Sequence, residues 1–252
     1  MRTLGIDLAA QPKETAACVI VWQDGQAIIA SINTNVTDPQ IIALHRTCDV
    51  TGIDAPFGWP MPFVEFVHAM NSRGAFELPD DLSDLYFRMT DLVVWRKHGK
   101  RPLVVAADKI AIPAMRCAGV LQQLDEFDRS GEGQVVEVYP AVALRAWGYS
   151  EQGLKHKIEG RAARSALLKE ILATCHGLTV AGKHNDLCVE SDHVFDAFVA
   201  SLVARAAACH LTIDPEPHEK EHARIEGWIA VPKPGTLAPL LSGGYSSAAL
   251  PI

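Results

Sequence analysis

Gly-Ile-Asp occurs twice in this chain, at Gly5–Asp7 inside TLGIDLA (Thr3–Ala9) and at Gly52–Asp54 inside VTGIDAPFGWP (Val50–Pro60). Each copy lies in a short apolar run whose length suits a buried strand and not a helix. Proline cannot continue a central ladder, so the second run stops at Asp54, just before Ala55-Pro56. An ionised Asp leaving a buried strand is costly unless it is paired, hydrogen-bonded or bound to a metal. Either Asp alone is accounted for as a turn or cap residue. Two buried strands that each deliver an Asp to an edge suggest a site.

The order of elements around these strands constrains the fold. Thr15–Trp22 and Gln26–Ile32 read as strands joined through the hairpin signal Asp24-Gly25. Asp38-Pro39 opens a helix over Pro39–Arg46, and the chain then returns to Val50–Asp54. Three antiparallel strands, a helix and a later strand parallel to the first predict an α/β domain with a mixed sheet flanked by helices. Further helices are expected over Pro60–Ser72, with Phe63, Phe66, Val67 and Met70 on one face, over Leu85–Arg96, and over Arg161–His176 with Gly177 as its stop. Ala75–Leu82 reads as a loop. VVEVY at Val135–Tyr139 reads as a strand carrying Glu137, either solvent-facing at an edge or a further acid near the strand ends. A single domain over 1–232 is expected, with a helical and loop insertion around 60–130 and an irregular Pro/Gly/Ser-rich tail over 233–252.

The helix expected over Asp192–His210 supplies more acids. Phe195, Phe198, Leu202 and Ala206 form its buried stripe, and Ser191 is its N-cap. Asp192 and Asp196 are four apart, share a face, and sit at the margin of the core side, where they can meet strand-end carboxylates. Like charges at that spacing repel unless a cation lies between them. Asp7, Asp54, Asp192 and Asp196 together form an oxygen-only set that suits Mg²⁺ or Mn²⁺ and not Zn²⁺. Two such ions about 4 Å apart would activate a water and stabilise the leaving oxygen in phosphodiester hydrolysis.

A net charge of −7 removes bulk electrostatic attraction to nucleic acid. The one dense basic cluster, Arg96–Arg101, with Lys97, Lys100 and Arg101, is either a solvated turn or a phosphate contact. A nucleic acid, DNA or RNA, is therefore the candidate partner. A membrane is not, since no apolar run is long enough to cross one. The sequence is compatible with a monomer or a homodimer. Six scattered cysteines without a C-x-x-C pair read as reduced thiols of a cytoplasmic protein. His218-Glu219-Lys220-Glu221-His222 matches H-E-x-x-H, but follows Pro215 and Pro217 in an almost wholly charged stretch, so it reads as exposed. A sugar-kinase or actin-like phosphotransferase would need Asp-x-Gly, and Asp7-Leu8-Ala9-Ala10 lacks the glycine. Trp228 is expected in the core, and a non-catalytic binding module on the same fold remains an alternative.

GIDLA at Gly5–Ala9, GIDAPFGWP at Gly52–Pro60, RMTD at Arg88–Asp91, EVYP at Glu137–Pro140, DHVFDA at Asp192–Ala197 and EGWI at Glu226–Ile229 follow one another in order. This series, spread over about Thr3–Pro232, resembles the "domain of unknown function 429" family, which is regarded as predicted nucleases of RNase H-like fold. The resemblance implies an RNase H-like mixed sheet and a site similar to that of RuvC-type resolvases. By that likeness Asp7, Asp54, Asp192 and Asp196 would hold metal, with Arg88, Asp91 and His193 in supporting or substrate-binding roles. RuvC-type sites usually carry Glu at the fourth-strand position, where this chain has Asp54.

Overall fold

The first three strands form an antiparallel meander: β1 (Arg2–Asp7), β2 (Ala16–Gln23) and β3 (Gln26–Thr34). Asp24 and Gly25 turn the β2–β3 hairpin with φ of 50° and 76°, as a two-residue turn of this hand requires. The computed structural model describes residues 1–156 and 159–242. Helix α1 (Asp38–His45) starts behind Thr37, whose amide donates to the Gln40 side chain, and leads into β4 (Val50–Asp54), parallel to β1.

The chain continues through α2 (Met61–Ser72), α3 (Met89–His98) and α4 (Ala111–Gln123) to β5 (Val135–Glu137), parallel to β4. Then follow α5 (Pro140–Ala146), α6 (Gly160–Thr174), the short β6 (Leu178–Thr179), α7 (Gly182–Glu190), α8 (Asp192–Ala208) and α9 (Lys220–Glu226). The six-stranded sheet has the order β5-β4-β1-β2-β3-β6, antiparallel within the meander and parallel elsewhere. The arrangement is α/β and compatible with an RNase H-like fold.

Strand alternation divides β1 between two cores. Leu4 and Ile6 pack with Ile41, Ile53, Val120 and Leu121 on the side of α1 and α4. Thr3, Gly5 and Asp7 point the other way, toward α8, and the Thr3 hydroxyl meets that of Ser201 at 2.8 Å. A Cβ at Gly5 would stand 2.0 Å from the carbonyl oxygen of Ala197 and 2.2 Å from the amide of Ser201, and one at Gly52 would stand 2.6 Å from the carbonyl of Ala200. The two glycines let the helix backbone lie directly on adjacent strands. Hence α8 is buried on every side from Val194 to Ala206, and the expected single stripe is only the side that faces away from these glycines.

Helix α2 forms where predicted but buries no residue, and Val67 and Met70 of its apolar face are exposed. Two other expectations need correction. The helix expected from Leu85 begins only at Met89, after a 3₁₀ turn over Leu82–Leu85, because Arg88 and Asp91 close on one another across its first turn. Within the expected tail, residues up to 242 are docked on the domain. Leu237 and Leu240 are buried, Arg205 donates to the Leu240 carbonyl, and Trp147 donates to the Thr236 hydroxyl. Residues 243–252 of that tail lie outside the described residues. Trp228 is buried, as expected, with its indole N–H donating to the Ile213 carbonyl.

Candidate metal centre

In the parallel β1–β4 ladder Gly5 is opposite Gly52 and Asp7 is opposite Asp54. The repeated Gly-Ile-Asp is thus one structural unit used twice in register: a glycine to seat α8, then a carboxylate at the strand end. Close seating of α8 on the glycines brings Asp196, in its second turn, down to the same edge. One carboxylate oxygen from each of Asp7, Asp54 and Asp196 lies within 4.8 Å of the others. Together they line a cavity of about 570 Å³.

The site pushes protons onto its acids. Desolvation, then the charges of Asp7 and Asp196, raise Asp54 well above the usual carboxylate range. Asp196 is pushed up to about 6, chiefly by burial, and is partly relieved by Lys155. The Lys155 ammonium is 2.8 Å from Asp196 Oδ2, and the acids around it hold its pKa above that of a free lysine. His193 Nδ1 hydrogen-bonds Asp7 Oδ2, which raises the imidazole pKa. Tyr139, also lining the cavity, is pushed up to about 12 by burial and by the Asp54 charge.

Asp192 stands apart. It occupies the first position of α8, one turn before Asp196, and acts on Asp196 and His193 through its charge without joining the gathered oxygens. Arg88 and Asp91 are buried and committed to a network. Arg88 donates from Nε and Nη2 to Asp91 at 3.0 and 2.9 Å and from Nη1 and Nη2 to Glu137 at 2.8 and 2.7 Å, and Nη1 also reaches the Glu226 carbonyl. All five N–H groups of the guanidinium are used, which leaves none for a substrate. Glu137 is therefore not solvent-facing: it ends β5, lines the same cavity and adds its charge at Asp54, while its own oxygens are held by Arg88 and stay out of the gathered three. It also accepts the Phe57 amide, and burial raises its pKa against the pull of Arg88.

The basic cluster is divided. Lys100 lines the cavity and pairs with Glu151 at 3.1 Å. Arg101 stacks over Phe87 and Trp95, 4.9 and 5.1 Å from their ring centres, and Lys97 borders a separate small cleft beside Trp228. The H-E-x-x-H stretch straddles the start of α9, with His218 exposed and His222 bonded to Glu226. Among the described residues only the three aspartates gather as metal-type ligands.

Sequence reasoning missed Lys155 and Glu226. Lys155 sits in a Gly-rich turn with no periodic signal, and only its place beside the acids marks it. Glu226 accepts the amides of Met61 and Met89, tying α2 and α3 to the end of α9, and the EGWI motif was its only trace.

The family model described as "Protein of unknown function (DUF429)" matches residues 5–220. The chain belongs to that family. No curated protein and no solved structure matched it. The span matched to DUF429 contains all three gathered aspartates, Lys155 and the Arg88–Asp91–Glu137 network. Glu226 and the docked segment up to residue 242 lie beyond it. No helix among the described residues is long and apolar enough to cross a membrane.

Proposed function

We propose that this DUF429 protein is a divalent-metal-dependent phosphodiesterase of nuclease type, with Asp7, Asp54 and Asp196 as ligands for Mg²⁺ or Mn²⁺. The observation that carries the reading is the convergence of three carboxylate oxygens, from two strands and a helix, within 4.8 Å in a cavity. The donor set is all oxygen, and two of its members have pKa values raised by burial and mutual repulsion, which a hard dication would relieve. A bound ion would supply Lewis acidity at a phosphoryl oxygen and lower the pKa of a water. Water adds to phosphorus, the ester P–O bond breaks, and the products are a phosphomonoester and an alcohol. His193, bonded to Oδ2 of Asp7, fixes the orientation of that carboxylate. The Arg88 network forms part of the cavity wall as a rigid support.

One observation favours a second reading, a non-catalytic nucleotide- or nucleic-acid-binding module of the same fold. Lys155 already places a cation 2.8 Å from Asp196, so the chain partly neutralises its own acids. Calorimetric titration of Mn²⁺ into the wild type and into an Asp7→Asn, Asp196→Asn double variant, followed by a hydrolysis screen, separates the two. Binding and hydrolysis in the wild type, both lost in the double variant, support the phosphodiesterase. No binding and no hydrolysis at millimolar metal leave the binding module.

A further inference from the structure

The cavity volume of about 570 Å³ falls within the roughly 300–1,000 Å³ in which proteins hold single small molecules. Part of its wall is apolar: Pro102, Leu103 and Ile110 from the segment between α3 and α4, Pro113 from the first turn of α4, and Tyr139 and Leu144 from the chain after β5. Its charged lining is mostly acidic, with Asp91, Glu137 and Glu151 added to the three gathered aspartates. The lining lysines and arginine are Arg88, Lys100 and Lys155, and each is ion-paired: with Asp91 and Glu137, with Glu151, and with Asp196. Arg96, Lys97 and Arg101 of the basic cluster lie outside the lining.

A strand held along its backbone needs cations that meet successive phosphates. This cavity offers acids where such a track would run, and its apolar wall suits a flat, weakly polar body. Resting on the phosphodiesterase reading, the geometry points to a substrate that presents one nucleotide unit and one phosphodiester: a free nucleotide ester or the terminal nucleotide of a strand. The phosphodiester lies over Asp7, Asp54 and Asp196, and the nucleoside packs on the wall that includes Leu103 and Ile110. Internal bonds of a long strand or a closed circle are not reached.

The test uses the full chain with Mn²⁺ and three substrates: thymidine 5′-(p-nitrophenyl phosphate), a short end-labelled linear single strand, and a covalently closed single-stranded circle. The expected result is release of p-nitrophenolate from the ester, stepwise shortening of the linear strand from an end, and an intact circle. An opened circle or internal cuts overturn the inference while leaving the phosphodiesterase standing. If none of the three is turned over, the phosphodiesterase reading fails, and thermal shift with Mn²⁺ decides the ligand class. Greater stabilisation by thymidine 5′-monophosphate than by the linear strand at equal phosphate keeps the single-nucleotide site; the reverse overturns it. Leu103 is half exposed, so Leu103→Asp leaves the core untouched. It should raise KM for the ester about tenfold, more than it lowers kcat. An unchanged KM removes the wall from the site.

Discussion

Replacing Gly5 by alanine tests whether the seating of α8 on the sheet builds the metal centre. The added methyl would meet the Ala197 carbonyl oxygen at 2.0 Å and the Ser201 amide at 2.2 Å, both backbone atoms of a helix that cannot rotate away. Ordinary contact begins near 3.4 Å, so α8 must withdraw from β1 by more than about 1 Å or the strand must buckle. Overpacking of this kind costs about 3 kcal/mol, the upper end of the usual range, because no flexible side chain can yield. For a chain of this size that lowers Tm by roughly 6–12 °C. Withdrawal also carries Asp196 away from Asp7 and Asp54. A site held to about 0.5 Å then loses Mn²⁺ affinity by roughly ten- to a hundredfold. Gly119→Ala is the control: it lies in α4 with nothing within 4 Å of the added methyl, and should be neutral or raise stability by up to about 1 kcal/mol. Circular-dichroism melts and Mn²⁺ calorimetry on the three proteins are sufficient. A Gly5→Ala protein with wild-type Tm and wild-type Mn²⁺ affinity would refute the argument.

Removing the guanidinium with Arg88→Met leaves Asp91 and Glu137 buried without their cation, each keeping only a backbone amide from Arg88 or Phe57, a loss of about 3–5 kcal/mol; chemical denaturation should show it, and a change under 1 kcal/mol would contradict the network's role. Lys155→Met removes the cation beside Asp196. It should destabilise the metal-free protein and tighten Mn²⁺ binding, so weaker binding in calorimetry would count against competition between lysine and metal. Asp54 and Asp196 hold their protons more tightly in the folded chain than in the unfolded one. Their contribution to stability is therefore full below the ordinary carboxylate range near pH 4; that of Asp196 is lost as pH rises through about 6, and that of Asp54 is lost well above the ordinary carboxylate range. In chelator, an Asp54→Asn, Asp196→Asn variant should accordingly gain Tm on the wild type between pH 4 and pH 8, and a difference independent of pH would refute it.

Much of the fold was legible because its signals are local. The short apolar run of β1, the Asp24-Gly25 turn and Pro56 just beyond Asp54 each act over a few residues, and β1 to β5 lie close to where they were expected, whereas the two-residue β6 was not expected. The strand-end acids were legible for the same reason, and Asp196 because it lies at helical spacing beside buried residues. What escaped depends on contacts across the chain. Asp192 shares a helix face with Asp196, but the glycine seat fixes which turn of α8 reaches the strand ends, and only the pairing of Gly5 and Gly52 with Ala197 and Ala200 shows that. Arg88 and Glu137 are 49 positions apart, and a charged residue in an apolar strand does not name its partner in advance. The exposed face of α2 shows the limit of periodicity, which marks a face as apolar without providing anything to cover it.

The hydrogen bond between Thr3 and Ser201 joins residues 198 positions apart, and the one between Asp7 and His193 joins residues 186 apart. During synthesis β1 leaves the ribosome about 185 residues before its covering helix begins to emerge. Until then the glycine face of the central ladder has nothing on it, and two carboxylates wait side by side without a third. Contacts of such long range also slow folding, since the intervening chain must be gathered before they form. The centre is therefore assembled only once α8 has emerged, and a nascent chain halted before residue 191 carries none of the chemistry that the finished one can.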